Sequence, residues 1–200
     1  MVKLTRKEQK EKTRAGLVGE AETLFARKGI SITTTADIAK SLKVSHGTLF
    51  VHFPTREDLV LAVIDNFGKK LSEELNRKLI SQNLEELLAA HLQVLSMFED
   101  FYLHLICESQ FLSPKVRSIF YSMNSAISYK IFNAAKDRMK NHDLKKMNQA
   151  QFFNTWIAIL HYNIMNRDLF SDKKPILKHQ SKSILNHFLT LIKKEDSHVQ

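Results

Sequence analysis

All five glycines of this 200-residue chain, Gly16, Gly19, Gly29, Gly47 and Gly68, fall within its first 68 residues, and beyond them only Pro114 and Pro175 interrupt the chain. Glycine frees the backbone for tight turns, and proline removes a helical donor and clashes with the preceding turn. The distribution therefore predicts short elements joined by turns at the start, then long helices broken at two prolines and a few polar joints. There is no internal repeat, low-complexity tract or Ser/Gly-rich linker, so two modules are expected to share one helix across about residues 56–79.

Apolar spacing supports an all-α chain. Leu17, Ala21, Leu24 and Phe25 recur at helical intervals and stop at Gly29, a C-terminal cap. Leu59, Val60, Val63, Ile64, Phe67, Leu71 and Leu75 form a longer stripe, begun by Thr55 with Asp58 three residues on, a capping-box spacing. Further stripes run near 84–112, 115–140, 149–167 and 176–194. Ile30 to Thr35 is the one β-branched run, too short and unpartnered for a sheet.

Thirty Lys and Arg against 21 Asp and Glu give a net charge of +9, which favours phosphate-rich or acidic partners. Residues 1–70 carry 13 basic and 8 acidic side chains, 71–112 carry 2 and 7, and 113–182 carry 13 and 4. A single cysteine, Cys107, excludes an intrachain disulfide framework and a multi-thiolate zinc site. The opening MVKLTRKEQKEK has no apolar signal core, and no apolar run approaches the length of a spanning helix, so a soluble, cytoplasmic protein is expected.

The segment between Gly29 and Leu59 carries the functional signal. Thr34, with Asp37 three residues later, caps a helix of about two turns whose apolar side holds Ala36, Ile38, Ala39 and Leu42. Lys43 and Val44 supply a short turn. Ser45 caps a second helix that points Leu49 and Phe53 inward and presents His46, Gly47, Thr48, Phe50 and His52 outward. Two short helices around such a turn make a helix-turn-helix, and the second helix's N-terminus suits an anion.

These residues resemble the DNA-binding domain of the TetR family of transcriptional repressors over about residues 10–70. The matching pattern is LFARKG at a helix end, Thr33-Thr34 ahead of Asp37-Ile38-Ala39, Val44-Ser45, Gly47-Thr48-Leu49, His52-Phe53, Pro54, and Arg56 to Leu59. The resemblance implies a basic arm at 1–9, a three-helix DNA-binding domain at 10–70 with its helix-turn-helix at about 33–52, and a helical effector-binding and dimerisation domain at 71–200. It further implies a homodimeric repressor on a palindromic operator, released by a small, largely apolar effector. Carried onto this chain, the DNA-binding set is Thr34, Thr35, Ser45, His46, Gly47, Thr48, Phe50, His52 and Arg56, with His46 reading bases and His52 and Arg56 clamping phosphates. Two positions depart from the pattern. Phe50 replaces a common tyrosine and lacks its hydroxyl, and Lys43 replaces a common turn glycine, implying a left-handed residue at a cost of about 1 kcal/mol.

Nine of the 13 phenylalanines, all four tyrosines and the one tryptophan lie beyond residue 90. The expected effector site draws on His91, Phe101, His104, Cys107, Glu108, Phe111, Tyr121 and Trp156. His104, Cys107 and Glu108 share one helical face. Without a second ligand cluster they read as a packed histidine, a buried thiol and a surface acid, so no metal or other cofactor is expected. The stripes holding Phe153, Trp156 and Leu160, and Ile184, Phe188 and Ile192, are the expected dimer interface, two helices from each copy forming a four-helix bundle. No phosphate-cradling glycine loop, HExxH or G-x-S-x-G elbow is present, so no catalytic residue and no enzyme is expected. The competing function is a helical protein-interaction adaptor that does not bind DNA.

Overall fold

The computed structural model describes residues 5–78, 83–170, 172 and 174–194. The helices are α1 (Arg6–Lys28), α2 (Thr35–Ser41), α3 (His46–His52), α4 (Arg56–Lys78), α5 (Leu84–Ser96), α6 (Glu99–Glu108), α7 (Pro114–Lys140), α8 (Gln149–Met165), α9 (Arg167–Phe170) and α10 (Ile176–Ile192). A 3-10 turn spans Ser109–Phe111, and no strand occurs among the described residues. None of the described helices is long and apolar enough to cross a membrane.

The chain divides into two compact units, one of residues 1–70 and 100–120, the other of 71–99 and 121–200. The first unit therefore recruits most of α6 and the start of α7, segments that a cut at residue 70 assigns to the second domain. Its core holds Leu17, Leu24, Phe25, Leu49, Phe53, Leu59 and Phe67, all buried, and the Phe67 ring meets Phe101 edge-on at 5.1 Å between centroids. In the second unit α10 packs on α5 and α8. Aromatic contacts run from Phe132 to Phe152 at 5.8 Å, from Phe152 to Phe188 at 5.3 Å, and from Phe188 to Trp156 at 5.0 Å. The first two contacts are edge-to-face and the third tilted, arrangements that fill volume without stacking like quadrupoles face to face.

Local signals in the sequence set the helix ends. Thr5 and Glu8 form a capping box, so α1 begins at Arg6 and takes up much of the expected basic arm; Lys3 lies outside the described residues. At the other end Gly29, at φ 105°, accepts a backbone that a side chain would strain. Thr55 and Asp58 cap α4 as their spacing predicts, Thr55 N donating to Asp58 Oδ2 at 3.0 Å and Asp58 N to Thr55 Oγ1 at 3.1 Å. The long stripe at 84–112 is broken into α5 and α6 at Met97 and Phe98. Buried Glu99 lies beyond that break, where its carboxylate accepts the Ile176 and Leu177 N–H groups at 2.8 Å each, satisfying the first donors of α10.

Candidate nucleic-acid interface

The helix-turn-helix is assembled by side chains that satisfy helix ends. Thr34 Oγ1 accepts from Asp37 N at 3.1 Å, and Asp37 Oδ2 accepts from Thr34 N at 3.0 Å, closing the cap of α2. The turn places Lys43 at φ 55°, the left-handed conformation implied by the absence of glycine there. Its neighbour Val44 donates to Ala39 O at 3.0 Å. Ser45 then caps α3, accepting from Thr48 N at 3.0 Å, while its hydroxyl meets that of Thr48 at 2.8 Å.

With Leu49 and Phe53 drawn into the core, the opposite side of α3 faces outward. His46 Nε2 lies 2.9 Å from Thr35 Oγ1, and the imidazole meets the Phe50 ring edge-on at 4.8 Å. Ser45, Gly47, Phe50 and Val51 are exposed. Val51, absent from the expected DNA-binding set, is the most exposed large hydrophobic side chain of α3 at 71%. The signal was present, because Val51 follows Gly47 by one helical turn.

His52 faces a concavity of about 460 Å³, whose lining includes Arg14, Phe53, Asp58, Asp65 and Lys115. Its Nδ1 is buried without a hydrogen-bond partner. Burial first, then the positive charges of Lys10 and Arg14, hold the imidazole below its ordinary pKa. Arg14 also stacks its guanidinium over the Phe53 ring at 4.8 Å. An anion arriving at this cationic edge would offset both charges.

Arg56 departs from its expected role. Its guanidinium turns to the backbone, donating to the carbonyls of Ile30 and, at 3.4 Å, Thr33. From the other side Glu108 accepts the N–H of Ile30 at 3.0 Å and of Ser31 at 2.6 Å. One base takes the carbonyls and one acid the amides of the loop that leads into α2, meeting backbone needs that the loop cannot meet itself. Burial alone would raise the Glu108 pKa, but hydrogen bonds from Ser31 and Ile30 and the nearby His104 outweigh it and hold the carboxyl below its ordinary value.

The expected effector residues divide between the two units and are brought together as two pairs. His91 and Trp156 are buried, the indole N–H donating to His91 Nδ1 at 3.0 Å. His104 Nδ1 lies 3.2 Å from Glu108 Oε1. Phe101 is core, whereas Phe111 and Tyr121 are exposed. The expected buried thiol and surface acid are reversed, with Cys107 exposed and Glu108 partly buried, because the α1–α2 loop covers the acid. None of the eight lines the 460 Å³ concavity, nor a second one of about 410 Å³ bounded by Glu85, Arg138, Leu144, Asn186, Leu189, Thr190 and Lys193.

The expected dimer residues need a larger correction. Phe153, Trp156, Leu160, Ile184, Phe188 and Ile192 are all buried within one copy, because α8 and α10 turn these stripes onto the core of their own unit. The apolar surface left outside on α8 and α9 is Tyr162, Met165, Leu169 and Phe170, with the Tyr162 and Phe170 rings 5.9 Å apart.

Residues 17–63 match the family model described as bacterial regulatory proteins, tetR family. The HTH-type transcriptional repressor Rv3405c of Mycobacterium tuberculosis is 38% identical over 87 residues, 44% of this chain and 46% of that protein. The chain thus spans about half the length of these curated relatives. The fold of a TetR transcriptional regulator from Chloroflexus aurantiacus covers 94% of this chain and 99% of its own at a TM-score of 0.75 and 18% identity. The TetR family regulator PfmR of Thermus thermophilus covers 87% and 97% at a TM-score of 0.71 and 18% identity.

Proposed function

We propose, since the N-terminal helix-turn-helix domain of this chain belongs to the TetR family, that the protein is a DNA-binding transcriptional regulator. In the fuller reading it is a homodimeric repressor that binds a palindromic operator and is released by a small molecule. The observation that carries the reading is α3 itself, capped by Ser45, anchored by Leu49 and Phe53, and presenting an outward face beside the exposed cations Lys10, Arg14 and Lys43. A helix held in this way fits the major groove, while flanking cations meet phosphates and set register. The repressor name of the Mycobacterium tuberculosis relative supports the direction of regulation.

For the dimer, the outward side of α8 and α9 is the surface that fits a second copy, since Tyr162, Met165, Leu169 and Phe170 leave apolar area in water. Two-fold symmetry then pairs two α3 helices with two half-sites. For the effector, the 410 Å³ concavity has the volume of a small-molecule site, and its lining combines Leu144 and Leu189 with Asn186, Thr190 and Lys193, the Arg138 guanidinium being paired with Glu85. Release follows from linkage: an effector that weakens operator binding by some factor binds the DNA-free protein more tightly by that same factor.

Selection of bound duplexes from a random pool, repeated across salt concentrations, tests the reading. A recovered palindrome, with affinity falling steeply as salt rises, is the expected result. Binding without sequence preference, or none at all, favours a protein-interaction adaptor.

A further inference from the structure

We propose that this chain reads its operator half-site chiefly through thymine methyl groups, with Val51 and Phe50 as the specificity-determining side chains. The inference rests on the DNA-binding reading above and says what that interface recognises.

The residues of α3, HGTLFVH, include no Arg, Lys, Asn, Gln, Asp or Glu. The helix thus lacks the side chains that make bidentate hydrogen bonds to guanine or adenine and those that accept from cytosine. Two of its remaining polar groups have partners within the protein. His46 Nε2 is engaged by Thr35 at 2.9 Å, and the Thr48 hydroxyl by Ser45 at 2.8 Å. Beside the tethered His46, the exposed large side chains of α3 are apolar, Val51 at 71% exposure and Phe50 at 39%.

Both side chains are prepared for contact. Valine has few rotamers to lose, and the Phe50 ring rests against His46. Gly47 lies three and four residues before them on the same face. A Cβ built there would meet only Ser45 Oγ, at 3.7 Å, so the backbone can come close to the groove floor at that point. Exposed Lys10, Arg14 and Lys43 give the apolar face a charged frame complementary to phosphates.

In the major groove thymine alone among the four bases presents a methyl group. A G·C pair set against Val51 and Phe50 would leave its donors and acceptors dry and unpaired, whereas a thymine buries its methyl there. The half-site is therefore expected to carry thymines at two or more positions facing α3.

The test uses the full-length protein and a duplex recovered by selection, with each half-site thymine replaced singly by deoxyuridine, which keeps base pairing and removes only the methyl. Affinity is expected to fall about fourfold at each sensitive position. Val51→Ala is expected to weaken binding to the thymine duplex while erasing the thymine-to-uracil difference at one position, with an unchanged melting temperature because Val51 is exposed. Specific binding with equal affinity for thymine and uracil at every position overturns the inference and leaves the DNA-binding reading standing. Failure to bind any duplex overturns both.

Discussion

His46 Nε2 sits 2.9 Å from Thr35 Oγ1, so the first residue of α3 is tied to the first residue of α2. This bond orients the imidazole and, through it, the ring of Phe50. Thr35→Val keeps the shape and removes the bond. It is expected to weaken operator binding by roughly three- to tenfold and to cost about 1 kcal/mol or less of stability, the usual net value of a partly exposed hydrogen bond. Fluorescence anisotropy on a selected duplex, beside a thermal melt, checks both; unchanged affinity would remove this bond from the interface.

His52 predicts a proton-linked affinity. Burial and the Lys10 and Arg14 charges hold its pKa down in the DNA-free protein, while Asp58, Asp65 and Lys115 line the same concavity. A phosphate at the cationic edge opposes those charges and raises the pKa, so binding takes up protons and tightens as pH falls from 8 to 6. His52→Gln is expected to flatten that slope, and the same slope in both proteins would exclude His52 as its source.

Glu108 and Gly29 should be difficult to replace. Glu108→Ala leaves the Ile30 and Ser31 amides without their acceptor and is expected to destabilise the protein by about 1–3 kcal/mol. Because the folded pKa of Glu108 is lowered, this contribution is present above its unfolded pKa and fades as pH falls through the folded value. Gly29→Ala meets a φ of 105° and places a Cβ 2.8 Å from Glu108 Oε1, so it should lower the melting temperature at every pH. Denaturant titration at pH 7 and pH 4 separates the two variants.

His91 and His161 make the second unit sensitive to acid. Burial lowers their pKa to about 3 and about 4, with His161 adding a smaller push on His91. Both pKa values are depressed, so the stability is complete above the ordinary histidine pKa and drains as pH falls below it, because the unfolded chain takes up protons the folded one refuses. At about 1.4 kcal/mol per site and pH unit, the two sites together lose about 5 kcal/mol by pH 4.5. His91→Gln retains an acceptor for the Trp156 indole and should reduce the loss; melts between pH 4.5 and 7.5 measure it.

Leu169 and Phe188 separate assembly from folding. Leu169 is 78% exposed, so Leu169→Arg should leave the monomer fold intact and dissociate a dimer that uses this face. Phe188, buried between Phe152 and Trp156, should cost about 3–5 kcal/mol as Phe188→Ala and unfold the chain rather than divide it. Sedimentation and circular dichroism of the two variants distinguish the outcomes. A Leu169→Arg protein of unchanged mass would move the interface elsewhere.

What could be determined from sequence were features whose cause lies within about four residues. The capping of α2 by Thr34 and Asp37, the stop at Gly29, the left-handed Lys43, and Leu49 and Phe53 as the buried side of α3 all follow from local hydrogen bonding, sterics and helical periodicity. The TetR resemblance rests on the same short-range pattern. Tertiary structure decided whatever depends on a distant partner. Arg56 finds backbone carbonyls 23 and 26 residues away, and Glu108 finds amides 77 and 78 residues away, contacts that no local spacing encodes. Periodicity likewise marks Phe153, Leu160, Ile184 and Phe188 as one-sided stripes without saying which surface covers them. That surface proved to be the protein's own core, because burying a stripe within one chain removes the same apolar area from water as burying it against a second copy, without the entropy cost of association.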